Sequence, residues 1–234
     1  MRNSEKENLK KTTYMQAVGC LLYLAMRIRL DIKFATNKAS RKKNQNPTYE
    51  DWMNVIKIFR YLKGKKNIMV LNLIEILKIR TYVDADLGGD AGTKRSTTDF
   101  VIFMGSAPIT WYSKLQHCVV LSTAESEYYS LNECALKCMW LRTFLNELGI
   151  KLNCITINID NKTAIYNSKN ETINPKSRHI DLKYHKVREL IKENKIELKY
   201  IKSIYNLVDG FTKYLNGTLT REFKNSLLHK IQEY

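Results

Sequence analysis

The chain has 234 residues, 44% of them hydrophobic, which is enough to bury the core of one large or two small globular domains. Lys and Arg number 39 against 23 Asp and Glu, a formal charge of +16, and a field of that sign favours a polyanionic partner: nucleic acid first, an anionic membrane surface second. Five cysteines without C-x-x-C argue against a disulfide framework or a structural zinc site, and H-E-x-x-H, P-loop and G-x-S-x-G motifs are all missing.

No run of 18 apolar residues occurs and Met1 to Lys11 is polar, so the expected location is intracellular, with no membrane partner. Three helices are expected first. Tyr14 to Ile28 carries Val18, Leu21, Leu22 and Ala25 at helical spacing, and Asp31 to Ser40 continues after a break. Thr48 and Asp51 have capping-box spacing, and Trp52, Val55, Ile56, Phe59 and Leu62 then form an apolar stripe ending at Lys63-Gly64. This region, residues 1–78, reads as a small helical unit with a basic exterior.

Residues 79–234 read as a second, α/β unit. It opens on Arg80 to Asp90 (RTYVDADLGGD), a short strand that ends in acid. Thr81, Val83 and Ala85 alternate with Tyr82, Asp84 and Asp86 until Gly88-Gly89 stops the strand, so Asp84 and Asp86 point to the same side. A buried carboxylate is costly unless it is paired or binds a metal. Either this pair is solvated at a strand end, or something cationic sits there.

Ser96 to Met104 and Ile109 to Ser113 complete an antiparallel meander, and a long helix follows from Thr123 to Leu148. Its two early glutamates differ. Ser122 and Glu125 have the S-x-x-E spacing of a capping box, whereas Glu127 lies in line with Leu131, Cys134, Cys138, Leu141 and Leu145, the face that packs on the sheet. Such a placement suits a metal ligand or catalytic group; a favourable interaction with the helix dipole is the plainer alternative.

Asn153 to Ile159 is a further strand, ending at Asp160-Asn161, where either residue could cap the short helix Lys162 to Ser168. Ser177 to Asn194 is an amphipathic helix, with Ile180, Tyr184, Val187 and Ile191 inward and a cationic surface of Lys183, Lys186, Arg188 and Lys192. Ile196 to Ile201 is the last strand. Asp209 follows at capping-box spacing from Asn206, and taken alone it reads as part of a cap.

Right-handed β-α-β crossovers would place the later strands beside the first one, bringing Asp84 and Asp160 together with Glu127 nearby. Acids so close stay ionised together only with divalent cations, and hard oxygen ligands select Mg²⁺ or Mn²⁺. On a basic protein, such a cluster suggests two-metal phosphodiester chemistry.

In order and spacing, YVDAD (82–86), KRSTTDFVIFMG (94–105), ITWYSKLQ (109–116), LSTAESEYYSL (121–131), IDNKTAI (159–165), SRHIDLKYHKVRE (177–189) and NLVDGFTKYL (206–215) closely resemble the ribonuclease H domain of copia-type LTR retrotransposon Pol polyproteins. YMQAVGCLLYLAMRIRLDIKFA and PTYEDWMNVIKIFRYLKG resemble the reverse-transcriptase thumb and connection region that precedes it. The resemblance implies a ribonuclease H-like fold, a five-stranded mixed sheet flanked by helices. It also implies an acidic quartet at Asp84, Glu127, Asp160 and Asp209 holding two Mg²⁺ or Mn²⁺ ions, and cleavage of the RNA strand of an RNA–DNA hybrid during reverse transcription. The polymerase portion of a parent polyprotein is the implied protein partner, in the cytoplasm or a virus-like particle.

The chain departs from the family at Leu87, where tryptophan is frequent, and at Leu115, where a basic residue is. Lys202 to Tyr205 lacks the histidine of cellular ribonucleases H, and no Y-x-D-D polymerase motif is present. Lys94 and Arg95, beside the acidic strand, are the second candidate contact for nucleic acid after the four cations of the amphipathic helix. The alternative function is a non-catalytic nucleic-acid-binding remnant of a decayed or domesticated element.

Overall fold

The computed structural model describes residues 3–42, 47–64, 79–90, 92–105, 107–169 and 178–208, with side chains for the same residues except 3–11 and 178–184. The elements fall into two compact units that divide within residues 65–78, outside the described ones.

The first unit holds α1 (Asn3–Arg27), a 3-10 turn (Leu30–Ile32), α2 (Lys33–Arg41) and α3 (Tyr49–Gly64). α1 begins well before Tyr14, because Asn3 to Thr13 is rich in helix-favouring Glu and Lys while carrying no apolar stripe that periodicity could detect. The α3 capping box forms: the Asp51 N–H donates to Thr48 Oγ1 at 3.2 Å and the Thr48 N–H donates to Asp51 Oδ2 at 2.9 Å. Tyr14, Val18, Leu21, Ala25, Val55 and Ile58 form the core. The α3 stripe is turned from the expected phase, so Ile58 is buried and Phe59 exposed.

The second unit is built on β1 (Ile79–Asp86), β2 (Thr97–Met104), β3 (Ala107–Leu115), β4 (Ile155–Ile159) and β5 (Ile196–Tyr200), interleaved with α4 (Thr123–Glu147), α5 (Lys162–Lys169) and α6 (Arg178–Lys192). Strand order is β3-β2-β1-β4-β5. The meander β1-β2-β3 is antiparallel, while β4 pairs parallel with β1 and β5 with β4. This is the five-stranded mixed sheet flanked by helices that the resemblance implies, and its parallel half follows from the helical crossovers α4 and α5–α6.

Val83, Phe100, Ile102 and Ile157 from the sheet pack with Leu131, Cys134 and Cys138 of α4 and Val187 of α6, all buried. Both α4 cysteines are free thiols in this core, as their helical spacing predicts. Among the described residues no helix is long and apolar enough to cross a membrane.

Candidate metal centre

Parallel pairing of β1 with β4 matches Tyr82 to Asn158. Two residues further along the chain from that pair stand Asp84, inside β1, and Asp160, just past the end of β4. Glu127 reaches the same place from the first turns of α4. One carboxylate oxygen from each of the three lies within 4.8 Å of the other two. Asp84 is 3% exposed and Glu127 4%.

The local structure assigns each neighbouring polar residue a separate task. Ser122 caps α4, its Oγ accepting from the Glu125 N–H at 3.2 Å, and Glu125 Oε2 accepts from the Leu121 N–H at 3.0 Å. Glu125 is thus occupied in capping, and Glu127 is the acid that faces the strand ends. At the start of α5, Asn161 Oδ1 accepts from the Ala164 N–H at 2.9 Å. That settles which residue of Asp160-Asn161 is the cap and leaves Asp160 to the cluster.

Burial is the largest cause raising the Glu127 pKa, followed by the charges of Asp84 and Asp160 and a hydrogen bond with Asp84; the main chain of Ala85 offsets this only in part. Glu127 is therefore the acid that holds a proton when nothing cationic is bound. Its donors are all hard carboxylate oxygens, and Glu127 Oε2 has no hydrogen-bond partner. Such a set fits Mg²⁺ or Mn²⁺.

Asp209, the fourth expected acid, lies outside the described residues. The chain leading towards it is anchored at the site, since Asn206 Nδ2 donates to the Val83 carbonyl at 3.0 Å, one residue before Asp84.

Two residues escaped the sequence reading. Gln116 is buried, its Nε2 donating to the Ser126 carbonyl at 3.0 Å and the Thr98 hydroxyl at 3.2 Å, and Ser130 Oγ donates to Thr98 Oγ1 at 3.0 Å. This lattice fixes the turn of α4 that carries Glu127 to β2. Asp99, fully buried, stands opposite Asp84 in the β1–β2 register. For Asp99 the available signal was an acid directly before the apolar run 100–104 of β2, and for Gln116 only its place at the end of the motif ITWYSKLQ.

Around the cluster, the β1–β2 turn is held by Asp90, whose Oδ2 accepts from the Thr93 N–H at 2.9 Å and hydroxyl at 2.6 Å. Lys94 is exposed there with φ 55°, and Arg95 Nε donates to Thr93 Oγ1 at 3.2 Å. A Cβ at Gly89 would collide with the Asp86 carboxylate, so glycine lets Asp86 lie over the turn. Lys162 Nζ sits 4.8 Å from the ring centre of the exposed Tyr200 at the adjoining strand end.

The cationic surface expected on α6 needs a correction. Arg188 is buried, with Nε and Nη2 donating to the Asn167 carbonyl at 3.3 and 3.0 Å, so it ties α6 to α5. A long guanidinium side chain can turn back from the edge of an apolar face, which angular position alone does not reveal. Lys186 is exposed and pairs with Glu189 at 3.0 Å, and Lys192 is exposed. The Lys183 side chain lies outside the described residues.

No protein-family model matches the chain. It is 35% identical over 209 residues to the retrovirus-related Pol polyprotein of transposon TNT 1-94 from Nicotiana tabacum, covering 89% of this chain and 16% of that protein. Over 218 residues it is 33% identical to the Pol polyprotein of transposon RE1 from Arabidopsis thaliana, covering 92% of this chain and 15% of the relative. The chain thus spans about a sixth of the length of these curated relatives. Among solved structures, LC11-RNase H1 isolated from compost aligns with a TM-score of 0.42 and 15% identity, over 58% of this chain and 92% of that one.

Proposed function

As this chain belongs with the Pol polyproteins of copia-type retrotransposons, we propose that its second unit is a metal-dependent ribonuclease H that cleaves the RNA strand of RNA–DNA hybrids during reverse transcription. The observation that carries this reading is the convergence of Asp84, Glu127 and Asp160 within 4.8 Å, two of them buried. A structural role for three mutually repelling acids would require cations from the protein; a catalytic role requires divalent cations from solution.

Asp84, Glu127 and Asp160, with Asp209 as the fourth acid, would hold the ions. The chemistry two such ions supply is activation of water and neutralisation of charge on the leaving 3′ oxygen. The chain's own residues do the rest. β1 and β4 fix Asp84 and Asp160 side by side, Gln116 and Ser130 hold the α4 turn that presents Glu127, and burial keeps water from screening the carboxylates. Glu127 would give up its proton to solvent once cations occupied the site.

Lys94, Arg95, Lys186 and Lys192 would touch phosphates of the hybrid, positioning it without reading sequence. The rest of a Pol polyprotein is the proposed protein partner, within the cytoplasm or a virus-like particle. The test is an end-labelled RNA–DNA hybrid incubated with the purified chain. Cleavage of the RNA strand with Mg²⁺ or Mn²⁺, abolished by EDTA, is expected; binding without cleavage under both metals would overturn the enzymatic reading.

A further inference from the structure

The core-facing side of α4 is accounted for by Leu131, Cys134, Cys138, Leu141 and Leu145, yet the helix has a second apolar face. Leu136, Trp140, Phe144 and, at the C-cap, Leu148 recur every fourth residue and are 44%, 55%, 44% and 60% exposed. Continuous apolar stripes of this kind on a soluble surface mark interaction sites. The Trp140 and Phe144 rings stack at 5.6 Å with 2° between planes, forming one flat plate, and Lys137 Nζ lies 3.8 Å from the Trp140 ring centre. Beside the plate, a cavity of about 420 Å³ opens between α4 and the edge strand β3, lined by Trp111, Tyr112, Leu136 and Trp140 among others.

The order of residues along this face identifies what covers it. Positions are symmetric about Arg142, whose own Nη1 donates to the Asn153 carbonyl. Leu136 and Leu148 lie equally far to either side, as do Trp140 and Phe144, and Lys137 and Glu147. A two-fold axis passing at the level of Arg142 would set leucine against leucine and Trp140 against Phe144. The same axis sets Lys137 level with the second copy's Glu147.

We propose that the outer face of α4 is a dimer seam that takes a second copy of this chain, helix antiparallel to helix. Self-complementarity of this sort is what a two-fold interface demands. A parallel pairing would place Lys137 against Lys137 and Glu147 against Glu147. The antiparallel one also brings the turn at Leu148 to Lys151 of one copy over the cavity of the other. A nucleic-acid strand stacking on the plate fits less well, because Glu133 and Glu147 flank it and repel phosphates.

Sedimentation velocity on the full chain, freed of nucleic acid at high salt and run from about 1 to about 100 µM, tests the seam. Wild type should pass from monomer to dimer across that range. Lys137→Glu should weaken the dimer by at least about tenfold, since like charges then face each other twice. The double variant Lys137→Glu/Glu147→Lys should recover wild-type association, because the exchange regenerates both pairs. Trp140→Ser should be monomeric, and if it fails to fold by circular dichroism, the charge variants decide the matter. A wild type that stays monomeric throughout, or a double variant no better than the single one, would overturn the proposal; so would Trp140 fluorescence quenched by a single-stranded oligonucleotide in a monomeric chain.

Discussion

Each unit of the chain buries acid, and the two do it in opposite ways. In the helical unit, Asp31 has a side chain only 1% exposed and meets Arg29 in a two-pronged pair, at 2.9 Å to Nε and 2.8 Å to Nη2, while Tyr61 donates to the same carboxylate at 2.7 Å. Burial alone would raise its pKa, but the hydrogen bonds from Arg29 and Tyr61 and the Arg29 charge bring it below the usual value. In the sheet unit, Glu127 is as deeply buried and its nearest charged neighbours are Asp84 and Asp160, so its pKa goes up. An acid kept for the fold is neutralised by its own chain. A buried acid whose charged neighbours among the described residues are two more carboxylates, which raise its proton affinity, belongs to a site prepared for something that arrives from solution.

The contrast is tested most strongly by neutralising each site in turn. Asp84→Asn or Asp160→Asn should abolish hybrid cleavage, a loss of about 10³-fold or more in turnover assays if the pair holds catalytic ions. Glu127→Gln should behave alike, with its fold retained. In the helical unit the large effect is on stability instead. Arg29→Met strands a buried carboxylate and should cost about 3–5 kcal/mol in urea unfolding, most of it recovered in Arg29→Met/Asp31→Leu.

Tyr61→Phe removes one hydrogen bond to a charged group and should cost about 1.5–3 kcal/mol while cleavage continues. The pH dependence of this stability has a definite sign. Because the folded pKa of Asp31 lies below its unfolded value, the contribution is fully present above the ordinary aspartate pKa and is lost as pH falls through the folded one. Urea midpoints measured from about pH 5 downwards should fall less steeply in Asp31→Asn than in wild type. The smallest effect belongs to Glu125→Gln, which can still close the capping box on the Leu121 N–H and should cost well under about 1 kcal/mol, with activity unchanged.

Much of this site was legible before any coordinates, for physical reasons. Period-two alternation placed Asp84, capping-box spacing separated Glu125 from Glu127, and the crossover rule brought β4 beside β1. Other features depend on choices that spacing does not encode. Asp160 and Asn161 are both good caps, and only the hydrogen bond from Ala164 to Asn161 distinguishes them. Arg188 sits at the border of a helix face, where a long side chain can go either way, and it went inward to Asn167. Gln116 acts through contacts with β2 and α4 that no local pattern announces. The outer stripe of α4 was hidden because its apolar residues run alongside those of the core face, so one helix carries two apolar faces where a single one was sought.

The account rests on Asp84, Glu127 and Asp160 being a cation site, and thermal unfolding of the intact chain with and without millimolar Mn²⁺ tests that without relying on catalysis. Wild type should gain Tm on adding Mn²⁺ after EDTA, because binding to the folded state alone stabilises it. Asp84→Asn should start higher than wild type in EDTA, with one repelling charge removed, and gain far less from Mn²⁺. Equal Mn²⁺ responses in the two proteins, or an Asp84→Asn variant less stable than wild type in EDTA, would contradict it.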